Sequence, residues 1–194
     1  MIQIGAVCFA VLAAVFTPSL ALAHPCLCHA DSLAAGFAHP LSGVDHLLAM
    51  IGVGLWAAQL SGRAIWTLPL GFMSALVVGG ILGIIGAPVP LVEPGILGSL
   101  VTIGLAIALA WRVHAAAGFA LVAAFALLHG YAHGAEMPQS ASALSYALGF
   151  LVATGLLHLT GIGMGLLARH LRQPLLIRGA GAAISAVGMI LVFT

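Results

Sequence analysis

Apolar residues run along this chain in stretches of about twenty, the length a helix needs to cross the hydrocarbon of a bilayer, and short breaks bearing proline, glycine or arginine separate them. The pattern predicts spans over residues 41–60, 65–85, 93–111, 115–131, 141–167 and 175–193. The runs are rich in Gly and Ala and do not alternate polar with apolar, as the short strands of a membrane barrel would. Pro40 suits the first turn of the first helix, where its missing N–H has no intrahelical partner. Ala87-Pro88-Val89-Pro90 is a clear break after the second. Ahead of the spans, residues 1–23 read as a secretory signal peptide: an apolar core through Val15, then Ala21-Leu22-Ala23 in the small-x-small cleavage pattern. The expected fold is an all-α integral membrane protein, a compact bundle of six transmembrane helices in a single domain over residues 24–194.

Composition strengthens this reading. With 63% hydrophobic residues, 5% charged ones and no lysine, the chain has too little polar side chain to clothe a soluble globule. A net charge of +1 and the lack of any basic run exclude an electrostatic argument for nucleic acid. Positive residues gather on cytoplasmic loops, and with both mature termini outside, the inner turns hold all five arginines: Arg63, Arg112, Arg169, Arg172 and Arg178. Asp31, Glu93 and Glu136 then fall on the outer side. Gly79 with Gly83, and Gly161 with Gly165, repeat at the four-residue spacing that lets membrane helices approach closely. No nucleotide-binding loop is present, which argues against an ATP-driven pump acting alone.

Ionisable groups are costly at membrane depth unless they pair, face water or bind an ion, so two clusters stand out. In His39-Pro-Leu-Ser-Gly-Val-Asp45-His46 the imidazoles lie seven residues apart, nearly the same helical face but about 10 Å different in depth. One ion reaches both only if the backbone bends, and a break at His39-Pro40 would supply the bend. Asp45 can ligate, orient an imidazole or bind a proton. In His129-Gly-Tyr-Ala-His133-Gly-Ala-Glu136 the histidines are i,i+4 neighbours and the glutamate continues the face if the helix persists. The glycines at 130 and 134 thin the wall for a second helix or an ion. This is not the His-Glu-x-x-His of zinc proteases. Six potential ligands, His39, Asp45, His46, His129, His133 and Glu136, converge from two helices in the expected topology. Imidazole with carboxylate suits nickel, cobalt or zinc rather than magnesium or calcium.

His158, in the middle of the fifth span, reads either as a packed neutral histidine or as an inner relay. His114 and His170, beside arginines, read as solvated residues. His24, Cys26, Cys28 and His29 offer soft donors for an outer capture site, and a Cys-x-Cys disulfide there would be strained.

At these residues the sequence resembles the HupE/UreJ family of nickel and cobalt permeases. The likeness rests on His39-Pro-x-x-Gly-x-Asp45-His46, on Leu128-His129-Gly-Tyr-Ala-His133-Gly-Ala-Glu136, on Leu91-Val-Glu-Pro-Gly95 and on the signal peptide followed by His-Pro. The resemblance implies secondary uptake of Ni2+, or Co2+, across the bacterial inner membrane for hydrogenase or urease maturation. It also implies that the ion is cargo, with no permanently bound cofactor and no enzymatic activity. Cys26-Leu27-Cys28 departs from the His-rich or polar run expected at that place. The alternatives are a membrane metal-sensing or partner subunit, an intramembrane zinc hydrolase with Asp45 or Glu136 as base, and a haem protein.

Overall fold

Glycine at position 43 divides the first apolar segment in two. The computed structural model describes residues 30–138 and 141–193, and these form seven helices: α1 (Ala30–Ser42), α2 (Val44–Leu60), α3 (Ala64–Ile84), α4 (Val92–Ala108), α5 (Ala115–Ala135), α6 (Ala143–His170) and α7 (Pro174–Val192). The all-α expectation holds for the described residues, which include no strand. Helices α3, α5, α6 and α7, of 21, 21, 28 and 19 residues, are long and apolar enough to cross a membrane. The broken pair α1–α2 counts as a fifth span if taken together, and α4, with 17 residues, is a shorter apolar helix. At 1.5 Å per residue α4 reaches about 25 Å, short of a hydrocarbon core about 30 Å thick. Four to five candidate spans in a multi-pass membrane protein are therefore what the helices carry. The proposed signal peptide and the His24–His29 segment lie outside the described residues.

The expected start of the first span is corrected. Pro40 does not open a helix but sits inside the last turn of α1, and the chain breaks three residues later, where Gly43 takes an extended conformation (φ −98°, ψ 120°). The two helices meet there at 82°. Proline withholds one N–H from the ladder, yet α1 persists because its other face is tightly packed. A Cβ on Gly36 would lie 2.0 Å from the Tyr146 carbonyl oxygen and one on Gly149 2.1 Å from that of Leu33, so α1 and α6 touch backbone to backbone. Ser42 Oγ donates to the His39 carbonyl at 2.7 Å, occupying an acceptor that the end of α1 leaves open.

Small residues organise the remaining pairs. Helices α3 and α5 run parallel, and their glycines interlock: a Cβ on Gly79 would meet the Leu127 carbonyl oxygen at 2.0 Å and one on Gly130 that of Leu76 at 2.1 Å. Gly83 and Gly134 repeat the contact one turn further on. Between α2 and α6, Gly54 lies under the His158 carbonyl and Gly161 under that of Ile51. With lipid as apolar as any side chain, such close van der Waals contact is what holds helices together. Helix α2 touches all six other helices, and its Ala49, Met50, Val53, Trp56, Ala57 and Ala58 are wholly buried. Outward, Trp66, Leu70, Leu144 and Leu175 are each more than 60% exposed, as a lipid-facing surface requires.

All five arginines gather at one end of this bundle, where the last turns of α2, α4 and α6 meet the first turn of α7. Arg169 donates to the Ala58 carbonyl at 2.9 Å and Arg178 to that of Ala108 at 2.8 Å. Gln59 and Trp56 donate to the carbonyls of Ile107 and Trp111 at 3.1 and 3.3 Å. Cationic donors thus close carbonyls that helix C-termini leave without an intrahelical partner. The histidine clusters lie at the opposite end.

Candidate metal centre

The bend at Gly43 brings the first cluster together. His39 ends α1, and Asp45 and His46 open α2. With no side chain at position 43 to cap α2, Asp45 performs that service: its Oδ1 accepts the His46 N–H at 2.9 Å, and its charge favours the positive end of the helix. A Cβ at 43 would lie 2.7 Å from the same oxygen, so a larger residue would push the carboxylate aside. Asp45 Oδ2 lies 3.3 Å from His46 Nδ1.

Helix α5 extends through Ala135, one turn beyond the expected limit, and Glu136 caps it. His129 and His133 accordingly share a face, and the two clusters meet. Ring centroids are 4.3 Å apart for His46–His133, 5.1 Å for His46–His129 and 4.7 Å for His39–His133. His39 Nε2 lies 3.5 Å from Glu136 Oε2. Two donor groups result, His46–His129–His133 and His39–His133–Glu136, each with its ligand atoms within 4.8 Å of one another. Nitrogen and oxygen ligands bind first-row ions at about 2.0–2.2 Å, which puts opposite donors about 4 Å apart, so small side-chain movements would close either group on an ion. Asp45 belongs to neither group; it contacts His46 instead, the orienting alternative among those open to it from sequence.

Burial grades across the pair. The side chains of Glu136 and His39 are 56% and 28% exposed, whereas His46, His133 and His129 are 9%, 4% and 0% exposed as residues. In the buried group His46 Nδ1, His129 Nδ1 and both ring nitrogens of His133 have no hydrogen-bond partner among the described residues. A buried polar atom without a partner costs about 1–3 kcal/mol, and four in one cluster is an arrangement that a cation would relieve. Phe150 packs on His133 at 4.3 Å and Tyr146 stands 5.9 Å from His39, forming an aromatic wall from α6.

His158 belongs to neither group. It is 1% exposed, one helical stretch deeper on α6, with both ring nitrogens unpartnered. The Phe72 ring of α3 contacts both it and the cluster, 5.1 Å from His158 and 5.9 Å from His129. His114 and His170 are exposed at the arginine end.

Sequence reasoning missed Ser99, Phe72, Phe150 and Tyr146. Ser99 is wholly buried in α4, where its Oγ lies 2.9 Å from His129 Nε2. A lone serine in an apolar run was its only signal.

The sequence profile of the family described as HupE / UreJ protein matches residues 12–191. The chain belongs to the HupE/UreJ family. A relative within it, Protein HupE of Rhizobium leguminosarum bv. viciae, is 41% identical over 177 residues, covering 91% of this chain and 92% of that protein. HupE/UreJ proteins are associated with nickel and cobalt uptake for hydrogenase and urease, as transporters or accessory proteins. No solved structure matches the chain.

Proposed function

We propose that this protein takes up divalent nickel, with cobalt as the alternative cargo, across the bacterial inner membrane. In this reading six spans follow a cleaved signal peptide, the bent pair α1–α2 and the short α4 both cross, the histidine end faces the periplasm and the arginine end the cytoplasm, as the positive-inside bias favours. The observation that carries the reading is the pair of donor groups sharing His133 along a gradient from exposed to buried.

A neutral imidazole has a single lone pair, so His133 serves one group at a time. An arriving ion sheds part of its water onto Glu136, His39 and His133. It then exchanges the first two ligands for His46 and His129 while His133 retains it. Three protein ligands leave room for water, which keeps the ion exchangeable. The capture segment His24, Cys26, Cys28 and His29 would deliver the ion to Glu136. Inward passage to His158 runs past the Phe72 ring, which touches both His129 and His158, and the membrane potential favours it by about 2.3 kcal/mol per charge per 100 mV. Protons compete for the same lone pairs, so binding weakens as the solution is acidified.

The test is radioactive nickel uptake into cells lacking other importers, with cobalt, zinc and copper as competitors. Wild-type protein should accumulate nickel, and His46→Ala and His129→Ala should not. Uptake unchanged by both substitutions would end the reading. Saturable nickel binding by the purified protein without uptake would assign it an accessory role instead.

A further inference from the structure

Helix α4 supplies no residue to either donor group, yet it touches the deepest of the ligands. The Ser99 hydroxyl lies 2.6 Å from the Ile96 carbonyl oxygen and 2.9 Å from His129 Nε2. A carbonyl cannot donate, so a contact that short places the single hydroxyl proton on the Ile96 side. The bond to His129 then has one direction: Nε2 carries the proton and donates it to the serine oxygen. A neutral imidazole with Nε2–H has its lone pair on Nδ1, and His129 Nδ1 is buried without a partner.

We propose that Ser99 is a positioning residue that fixes the tautomer and ring orientation of His129, so that Nδ1 is the nitrogen presented to the ion. This rests on the reading of His46, His129 and His133 as a binding group, and it adds which atom of His129 binds and what makes that atom available. A supporting hydrogen bond of this kind orients a ligand before the ion arrives, and its loss typically costs 10- to 100-fold in metal affinity. Ser99 itself never touches the ion. Because α4 packs on α7 through Gly104, Gly181 and Gly188, the bond also ties the deepest ligand to a pair of helices that contributes no other group to the site. The Ser99 bond therefore holds the histidine ring from outside the α3–α5 interface, which contacts the same ring through Phe72.

Two measurements on the full-length protein in nanodiscs separate this inference from the reading beneath it. In the metal-free protein with 15N-labelled histidine, the ring-nitrogen shifts of His129, assigned by their loss in His129→Ala, should show protonated Nε2 and bare Nδ1, and Ser99→Ala should mix the two forms. With nickel chloride as titrant, Ser99→Ala should bind at least about tenfold more weakly than wild type, and with zinc as diamagnetic probe the Nδ1 signal of His129 should shift. A metal-free wild type with the proton on Nδ1, or zinc bound through Nε2, or Ser99→Ala with unchanged tautomer and affinity, overturns the inference. A wild type that binds no nickel or zinc ends the metal-site reading and with it the claim about the ion, while the tautomer measurement still decides whether Ser99 sets the ring.

Discussion

The two ends of this bundle both set polar side chains against its helices, and they use them in opposite ways. At the arginine end the donors are committed: Arg169, Arg178, Gln59 and Trp56 each bond a backbone carbonyl near a helix terminus. The unpartnered buried atoms in that region, Gln59 Oε1 and Thr67 Oγ1, belong to neither an imidazole nor a carboxylate. At the histidine end three imidazoles face one another, with both ring nitrogens of His133 and Nδ1 of His129 uncommitted. Closing helix ends accounts for the first arrangement and for none of the second. The contrast teaches that buried polarity marks function here only where the protein has not already satisfied it.

The sharpest way to break this comparison is at the residue both donor groups share. His133→Ala removes a ligand from each and leaves the aromatic wall of Phe150 and Tyr146 standing. Nickel uptake should fall to background in whole cells, with protein abundance in the membrane unchanged by immunoblot. His39→Ala touches only the exposed group and should leave partial uptake. Equal losses from the two substitutions would mean that the groups act as one site, and the exchange through His133 would have to be abandoned.

Asp45 offers a finer cut, because it touches His46 without joining either group. Asp45→Asn keeps an oxygen to accept the His46 N–H while removing the charge beside the ring. Nickel affinity, read by calorimetry on purified protein, should drop about 10- to 100-fold, the usual cost of losing a partner to a ligating histidine. Complete loss of binding would instead place the carboxylate on the ion.

These two substitutions also show what the sequence made legible. The two clusters, as candidates, and five of the helices, within a few residues, follow from spacing and hydropathy, because those are one-dimensional properties of a helix; that Asp45 falls outside both donor groups does not. The bend is different. Pro40 carried the stronger local signal, but the backbone contacts of Gly36 and Gly149 with α6 keep α1 helical through it, and the break moves to Gly43. Tertiary packing decided that, and no pattern within residues 30–60 encodes it. Ser99 was invisible for the same reason: its meaning lies in a neighbour thirty positions away. The arginines were placed by charge bias alone, and nothing in that bias told that Arg169 and Arg178 would bond carbonyls of α2 and α4.

The arginine end supplies the smallest effect and the control for the whole comparison. Arg169 reaches across from α6 to the Ala58 carbonyl and the Ser61 hydroxyl at the end of α2. Its side chain is largely exposed, so water competes for the same partners, and a charged hydrogen bond there stabilises by about 1 kcal/mol rather than the 2–3 of a buried one. Arg169→Ala should therefore lower the thermal midpoint in detergent by only a few degrees, on the order of 2–4 °C for a chain of this size. Nickel affinity should not change, since the histidine end lies at the far side of α2. If Arg169→Ala weakened nickel binding as much as Asp45→Asn, the two ends would be coupled through α2, and the helix that touches every other would be a lever between them instead of a fixed post.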